Sequence, residues 1–190
     1  SPPEFPATPG SEGVGRVIEI SESVRHIKTG QLVLLVGGGT WREQIVAPAS
    51  QFLPLPELEN LDDKLIEQLS MSIVNPVTAF LMLNSFAELE EGQWLVQSAA
   101  NSAVGGYVIQ LARQRGIKTV NVVRRSGLVD DLIAKGGDVV LIDGPDLAAK
   151  IKRATDDAPI QLALDAVGGD TFGRLANSLN NDGISRKIGD

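Results

Sequence analysis

Trp94-Leu95-Val96-Gln97-Ser98-Ala99-Ala100-Asn101-Ser102-Ala103-Val104-Gly105 carries the most informative pattern in this chain. A short apolar strand over 94–97 runs through a group of small residues into a helix over 103–115, where Val104, Tyr107, Val108, Leu111 and Ala112 recur at helical spacing. A dinucleotide-binding turn wants glycine at three places: for the tight bend, for backbone approach to a pyrophosphate, and for close packing of helix on strand. Aligned on Gly105, those places hold Ala100, Ser102 and Gly105, so one glycine remains and the other two residues are small. The context of strand, small-residue turn and long helix supports the motif where the letters do not. The first helical amides offer N–H groups and a partial positive charge, and the Ser102 hydroxyl can add a hydrogen bond to a phosphate. The same residues equally serve an ordinary tight turn capped by Asn101 or Ser102.

Downstream the rhythm repeats. Strands are expected over 119–123, 139–142 and 162–166, with helices through Leu128, Leu132 and Ile133, over 147–154 and over 171–179. Strands alternating with amphipathic helices dictate right-handed crossovers and a parallel sheet, which binds ligands beyond the carboxyl ends of its strands. The second strand ends in Val122-Val123-Arg124-Arg125-Ser126. A site for NAD places Asp or Glu there, to accept from the ribose 2′-hydroxyl, whereas two guanidinium groups suit a 2′-phosphate. NADPH is therefore expected over NADH; the alternative is a solvated basic pair at a strand end.

Upstream the texture differs. To about residue 55 the chain is rich in Gly, Pro and β-branched residues, with short strands expected over 15–20, 31–36 and 43–46. Pro54 and Pro56 punctuate a loop, and Asp62 or Asp63 caps a helix through Leu65, Ile66, Leu69 and Ile73. A second helix follows Pro76, with Ala79, Phe80, Leu83 and Phe86 at helical intervals. The change of texture near residue 85 divides the chain into domains over 1–84 and 85–190.

The 190 residues include 24 acidic and 17 basic side chains, a net charge of −7, with 43% hydrophobic and 22% charged residues. That composition supports a globular fold with a sizeable core and argues against a diffuse nucleic-acid-binding surface. The absence of cysteine excludes disulfides, thiolate nucleophiles and every zinc site that uses Cys. No apolar run reaches the roughly 18 residues that span a bilayer, and the first residues lack a basic region followed by an apolar one. The expectation is a soluble protein in a reducing compartment, with no nucleic-acid or membrane partner. The chain lacks an initiator Met and no element is expected over 184–190, so a piece of something longer is expected.

Several short motifs occur in one order. They are Pro9-Gly10-Ser11-Glu12-Gly13-Val14-Gly15, Gly39-Thr40-Trp41-Arg42, Val74-Asn75-Pro76-Val77-Thr78-Ala79, Asn101-Ser102-Ala103-Val104-Gly105 and Asn121-Val122-Val123-Arg124, followed by Ala163-Leu164-Asp165-Ala166-Val167-Gly168-Gly169 and Leu179-Asn180-Asn181-Asp182-Gly183. Each is weak alone. Together they resemble the medium-chain dehydrogenase/reductase superfamily, in its zinc-free, quinone oxidoreductase-like part, and within that the mitochondrial-type trans-2-enoyl-CoA/ACP reductases. The resemblance implies an α/β fold: part of a GroES-like β domain with linking helices, plus a Rossmann-type parallel sheet, truncated at both ends. It also implies NADPH as cofactor, an enoyl-CoA or acyl-carrier thioester as substrate, a homodimer, and a bacterial cytoplasmic or mitochondrial matrix location. It would put Asn75 and Thr78 near the nicotinamide, Asn101, Ser102, Ala103 and Val104 along the pyrophosphate, and Arg124 with Arg125 at the 2′-phosphate. From the residues alone, Asn75 equally holds the turn before Pro76.

The resemblance also sets limits. Zinc-dependent alcohol dehydrogenases of the superfamily have His where Ser11 stands; with no Cys and one His, no metal is expected. Glu12 is expected to fix a turn or a domain contact, and His26 to be a solvated surface residue. Trp41-Arg42-Glu43 is either a family turn in which Arg42 pairs a carboxylate, or a core Trp beside a surface ion pair. The family's proton donor, a Tyr, would lie upstream of residue 1, since Tyr107 has the spacing of core packing; no catalytic residue is assigned within the chain. Two rival functions stand beside an enoyl thioester reductase: an NADPH:quinone oxidoreductase of the same superfamily, and a non-catalytic nucleotide-binding or interaction protein.

Overall fold

The apolar run Leu32-Val33-Leu34-Leu35-Val36 forms a central strand in the computed structural model, which describes residues 5–188. Strand β1 (Glu12–Arg16) pairs antiparallel with β2 (Leu32–Val36), Val14 facing Leu34, and β3 (Phe52–Pro54) pairs on the other side, Leu53 facing Leu34. The first strand thus sits earlier than 15–20. Its ladder ends where β2 begins, at the Arg16–Leu32 pair, although Ile18 and Ile20 continue the β-branched pattern. Residues 43–46 form no strand and Val46 is fully exposed. β-propensity scores side chains, whereas a strand needs a partner backbone, and β3 finds one instead.

Helix α1 (Asp63–Ser70) starts at Asp62, whose carboxylate accepts from Leu65 N–H at 2.8 Å, which decides between the two candidate caps. It stops short of Ile73. A turn over 71–73 then leads into α2 (Val74–Asn84), which carries Pro76 in its first turn, where no intrahelical N–H is lost. The chain divides into two compact units, Ser1–Val74 and Asn75–Asp190.

The second unit is built on five parallel strands: β4 (Trp94–Gln97), β5 (Lys118–Val123), β6 (Val139–Ile142), β7 (Ile160–Asp165) and β8 (Leu179–Lys187), in the order β6-β5-β4-β7-β8. The connecting helices are α3 (Ala103–Gln114), α4 (Val129–Ala134), α5 (Leu147–Ala154) and α6 (Gly169–Ala176). Alternation along each strand sends neighbouring residues to opposite faces. Leu95, Leu162 and Leu164 pack with Ala79 and Leu83 of α2 and Val108 and Ala112 of α3. Val96, Val120, Val122 and Ala163 pack with Leu147 and Ile151 of α5 and Leu175 of α6. A smaller cluster joins Ile109, Val123 and Leu132. Each buried Leu here would cost roughly 2–5 kcal/mol to truncate to Ala.

Strand β8 corrects the expectation of no element over 184–190. Asn180, Ser185 and Arg186 are polar, yet the backbone pairs in parallel with β7, Ile184 and Ile188 pack on the Leu95 cluster, and the Arg186 guanidinium lies over the Phe86 ring at 5.0 Å. Because Leu179 opens β8, α6 ends at Ala176 rather than running to 179. Among the described residues no single helix is long and apolar enough to cross a membrane.

Candidate functional site

In a parallel sheet all carboxyl ends lie on one edge, so the residues after β4, β5, β6 and β7 are brought together by topology alone. The chain leaves β4 for β5 and β6 on one side and returns to β7 on the other, which makes the β4–β7 boundary the point where strand order reverses.

In the turn after β4 the cap falls to Ser102 rather than Asn101. Ala99 takes a left-handed φ of +46°, Ser102 N–H donates to the Ala99 carbonyl at 2.8 Å, and the Ser102 hydroxyl caps α3 by accepting from Gly105 N–H at 3.1 Å. As an acceptor in the cap, that hydroxyl still has its own proton to donate. Gly105 is the fingerprint glycine that survives, and the packing explains it: a Cβ there would sit 2.6 Å from the Ala100 carbonyl oxygen. Asn101, Ser102 and Ala103 are exposed and Val104 half-buried, leaving the first amides of α3 open to an anion.

Arg124 and Arg125 follow β5 directly, both exposed, and neither meets a carboxylate among the described residues. Their distance from the turn is fixed by a polar ladder inside the sheet. The Gln97 amide, fully buried, donates to Asn121 Oδ1 at 2.8 Å and to the Gly105 carbonyl at 3.1 Å; Asn121 Nδ2 donates to Thr119 Oγ1 at 2.9 Å and to the Val139 carbonyl at 3.2 Å. One side chain therefore holds β4, β5 and the first turn of α3 in register. Sequence reasoning passed over Gln97 and Asn121 as site residues, though an amide within each apolar strand was the available signal.

A second link closes the same edge. Asp143, just after β6, receives Arg174 Nε and Nη2, both at 2.8 Å, and the Thr171 hydroxyl at 2.7 Å, tying that strand end to α6. The Arg174 hydrogen bonds are the main reason the Asp143 carboxyl titrates below its ordinary 3.8, against the opposing effect of its burial.

Asn75 and Thr78 stand half-buried in the first turns of α2, the helix whose Ala79 and Leu83 share a core with α3. Within the first unit, Glu12 does the fixing expected of it: its Oε2 accepts from the amides of Ile73 and Val74 at 3.1 and 2.8 Å, the N–H groups that a helix start leaves unpaired. His26 is exposed and shares a hydrogen bond with the Ala49 carbonyl at 3.2 Å. Tyr107 packs against the core, as its spacing requires. Trp41 is 75% exposed rather than a core residue, and Arg42 donates to the Thr8 hydroxyl at 3.0 Å rather than pairing a carboxylate. Among the described residues no three His, Cys, Asp or Glu side chains gather closely enough to hold a metal ion.

The arrangement fits a phosphorylated dinucleotide. Exposed residues at the start of α3, a glycine packed where helix meets strand, and two guanidinium groups without carboxylate partners among the described residues follow the carboxyl ends of β4 and β5, where such a ligand would bind.

Comparison with known proteins bears on the chain as a whole. Residues 1–57 match the alcohol dehydrogenase GroES-like domain family. The mitochondrial enoyl-[acyl-carrier-protein] reductase of Dictyostelium discoideum is 36% identical over 182 residues, covering 92% of this chain and 51% of that protein. The Candida tropicalis Etr1p structure with NADP and crotonyl-CoA superposes with a TM-score of 0.83 at 28% identity, over 94% of this chain and 54% of the other. The Etr1p/Etr2p heterodimer of 2-enoyl thioester reductase from Candida tropicalis gives 0.83 at 28%, over 95% and 55%. The chain spans about half the length of the relatives it matches. Ordered motifs, two sheet architectures and these likenesses together show that the chain resembles the medium-chain dehydrogenase/reductase superfamily and, within it, about half the length of the mitochondrial-type enoyl thioester reductases.

Proposed function

We propose that this chain works as part of an NADPH-dependent reductase of the carbon–carbon double bond of trans-2-enoyl thioesters. The observation that carries the proposal is the 36% identity to an enoyl reductase sustained over 92% of the chain. The nucleotide would supply the hydride. The chain's own work is to bind and orient it: Asn101, Ser102, Ala103 and Val104 receive the pyrophosphate at the start of α3, Arg124 and Arg125 clamp the 2′-phosphate, and Asn75 with Thr78 meet the nicotinamide end from α2. Functionally the division falls near residue 85, with α1 and α2 linking a GroES-like portion over 1–84 to the nucleotide-binding portion over 85–190. Coenzyme A or acyl-carrier thioesters are the proposed substrates, a homodimer the assembly, and the mitochondrial matrix the location.

Steady-state NADPH oxidation by the purified protein tests this directly. Turnover with trans-2-enoyl-CoA and none with a quinone is the expected result. Turnover with the quinone alone would transfer the protein to the quinone oxidoreductases. Fluorescence enhancement of NADPH with neither substrate consumed would leave a nucleotide-binding protein without catalysis.

A further inference from the structure

β4 and β7 lie side by side where the strand order reverses, and each ends on a buried polar residue. Ser98, just past β4, is 2% exposed and Asp165, closing β7, is 0%. The Ser98 hydroxyl donates to Asp165 Oδ1 at 2.5 Å and accepts from Ala166 N–H at 2.9 Å. Gly168 N–H donates to Asp165 Oδ2 at 2.6 Å and Val167 N–H to Oδ1 at 3.3 Å, while Ser98 N–H donates to the Leu164 carbonyl at 2.9 Å.

No cation pairs with this carboxylate among the described residues. A buried carboxylate carries a desolvation cost that Leu or Ala, the residues beside it in β7, would not. What compensates it is three donors: Val167 N–H and Gly168 N–H from the turn that leaves β7, and the hydroxyl of Ser98, which precedes the turn that leaves β4. Both turns carry left-handed backbone, at Gly168 (φ +78°) and Gly169 (+56°) in the second and, without a glycine to ease it, at Ala99 (+46°) in the first. Such conformations persist where neighbours over-determine them. Ser98 adjoins the first turn, and the Asp165 carboxylate reaches round the second.

We propose that Ser98 and Asp165 are a positioning pair that sets the separation between the turn over 99–102 and the turn over 167–169, and so seats the pyrophosphate and nicotinamide half of the nucleotide. The inference rests on the nucleotide reading proposed above. The adenosine half depends on β5, whose Arg124 and Arg125 belong to neither turn. Both side chains act through backbone amides, so neither is a catalytic residue.

Binding of two ligands to the whole chain separates the halves: NADPH, and 2′-phosphoadenosine 5′-phosphate, which carries the adenosine end alone. Ser98→Ala and Asp165→Asn are expected to weaken NADPH about tenfold while holding the adenosine ligand within about twofold, and Ser98→Thr, which keeps the hydroxyl, to stay near wild type. Circular dichroism establishes that each variant is folded; should Asp165→Asn fail to fold, the Ser98 variants carry the comparison. Equal weakening of both ligands, unchanged NADPH affinity in Ser98→Ala, or equal loss in Ser98→Thr and Ser98→Ala overturns the pair's role with the nucleotide reading intact. A wild-type chain that binds neither ligand overturns both.

Discussion

Arg124 shows how much a single residue can announce. A guanidinium at the end of the second strand, where an NAD site would hold a carboxylate, speaks for a 2′-phosphate before any fold is known, and the structure leaves that side chain exposed with no competing carboxylate among the described residues. Arg124→Ala is expected to weaken NADPH roughly 10- to 100-fold and NADH far less, measured by titration of nucleotide fluorescence; equal losses would remove the 2′-phosphate assignment. Asp143 is the opposite case. As one acidic letter after an apolar run it gave no signal, because its partners Thr171 and Arg174 lie 28 and 31 residues away. Its folded-state pKa is depressed, chiefly by the Arg174 hydrogen bonds, so the stability it contributes is complete above the ordinary value of 3.8 and is lost as pH falls through the lower folded value. Asp143→Asn should therefore melt at a lower temperature than wild type at pH 6, by about 1 kcal/mol after solvent screening, with the gap narrowing in acid melts below pH 4.

Elements were legible in proportion to how far their side chains alone specify them. β4, α3, β6 and α5 follow from apolar periodicity, because a helix or buried strand with a strong pattern needs little help from its neighbours. β1 shifted, the 43–46 strand did not form, and β8 went unseen, since each is decided by which backbone lies alongside. At α3 the element makes a finer prediction. Ser102→Ala removes the cap and should cost about 1 kcal/mol of stability. Ser102→Asp keeps a capping acceptor but sets a carboxylate against the phosphate, so stability should hold while NADPH affinity falls. Gly105→Ala must push α3 off β4, because the new Cβ would lie 2.6 Å from the Ala100 oxygen; a loss of about 1–3 kcal/mol in thermal melts is expected.

For the whole molecule, the proposed nucleotide contacts fall within Asn75–Asp190, and the two tryptophans report separately, Trp41 in the first unit and Trp94 in the second. NADPH at about 100 times its dissociation constant should stabilise the unit reported by Trp94 by about 2.7 kcal/mol, read as a rise in its melting transition in a Trp41→Phe background. An unmoved Trp94 transition would argue against nucleotide binding in this unit. The amino-acid sequence by itself determined the fold class and carried the expectations of a phosphate-binding turn and of a 2′-phosphate, since each depends on local patterns of size, periodicity and charge. Only the tertiary structure decided that Gln97 and Asn121 lock the strands in register, that Asp143 clamps α6, that Glu12 serves the amides of Ile73 and Val74, and that Ser98 meets Asp165. Those contacts join residues from 24 to 67 positions apart, and a polar letter becomes a bond only when folding removes water and brings its partner within reach.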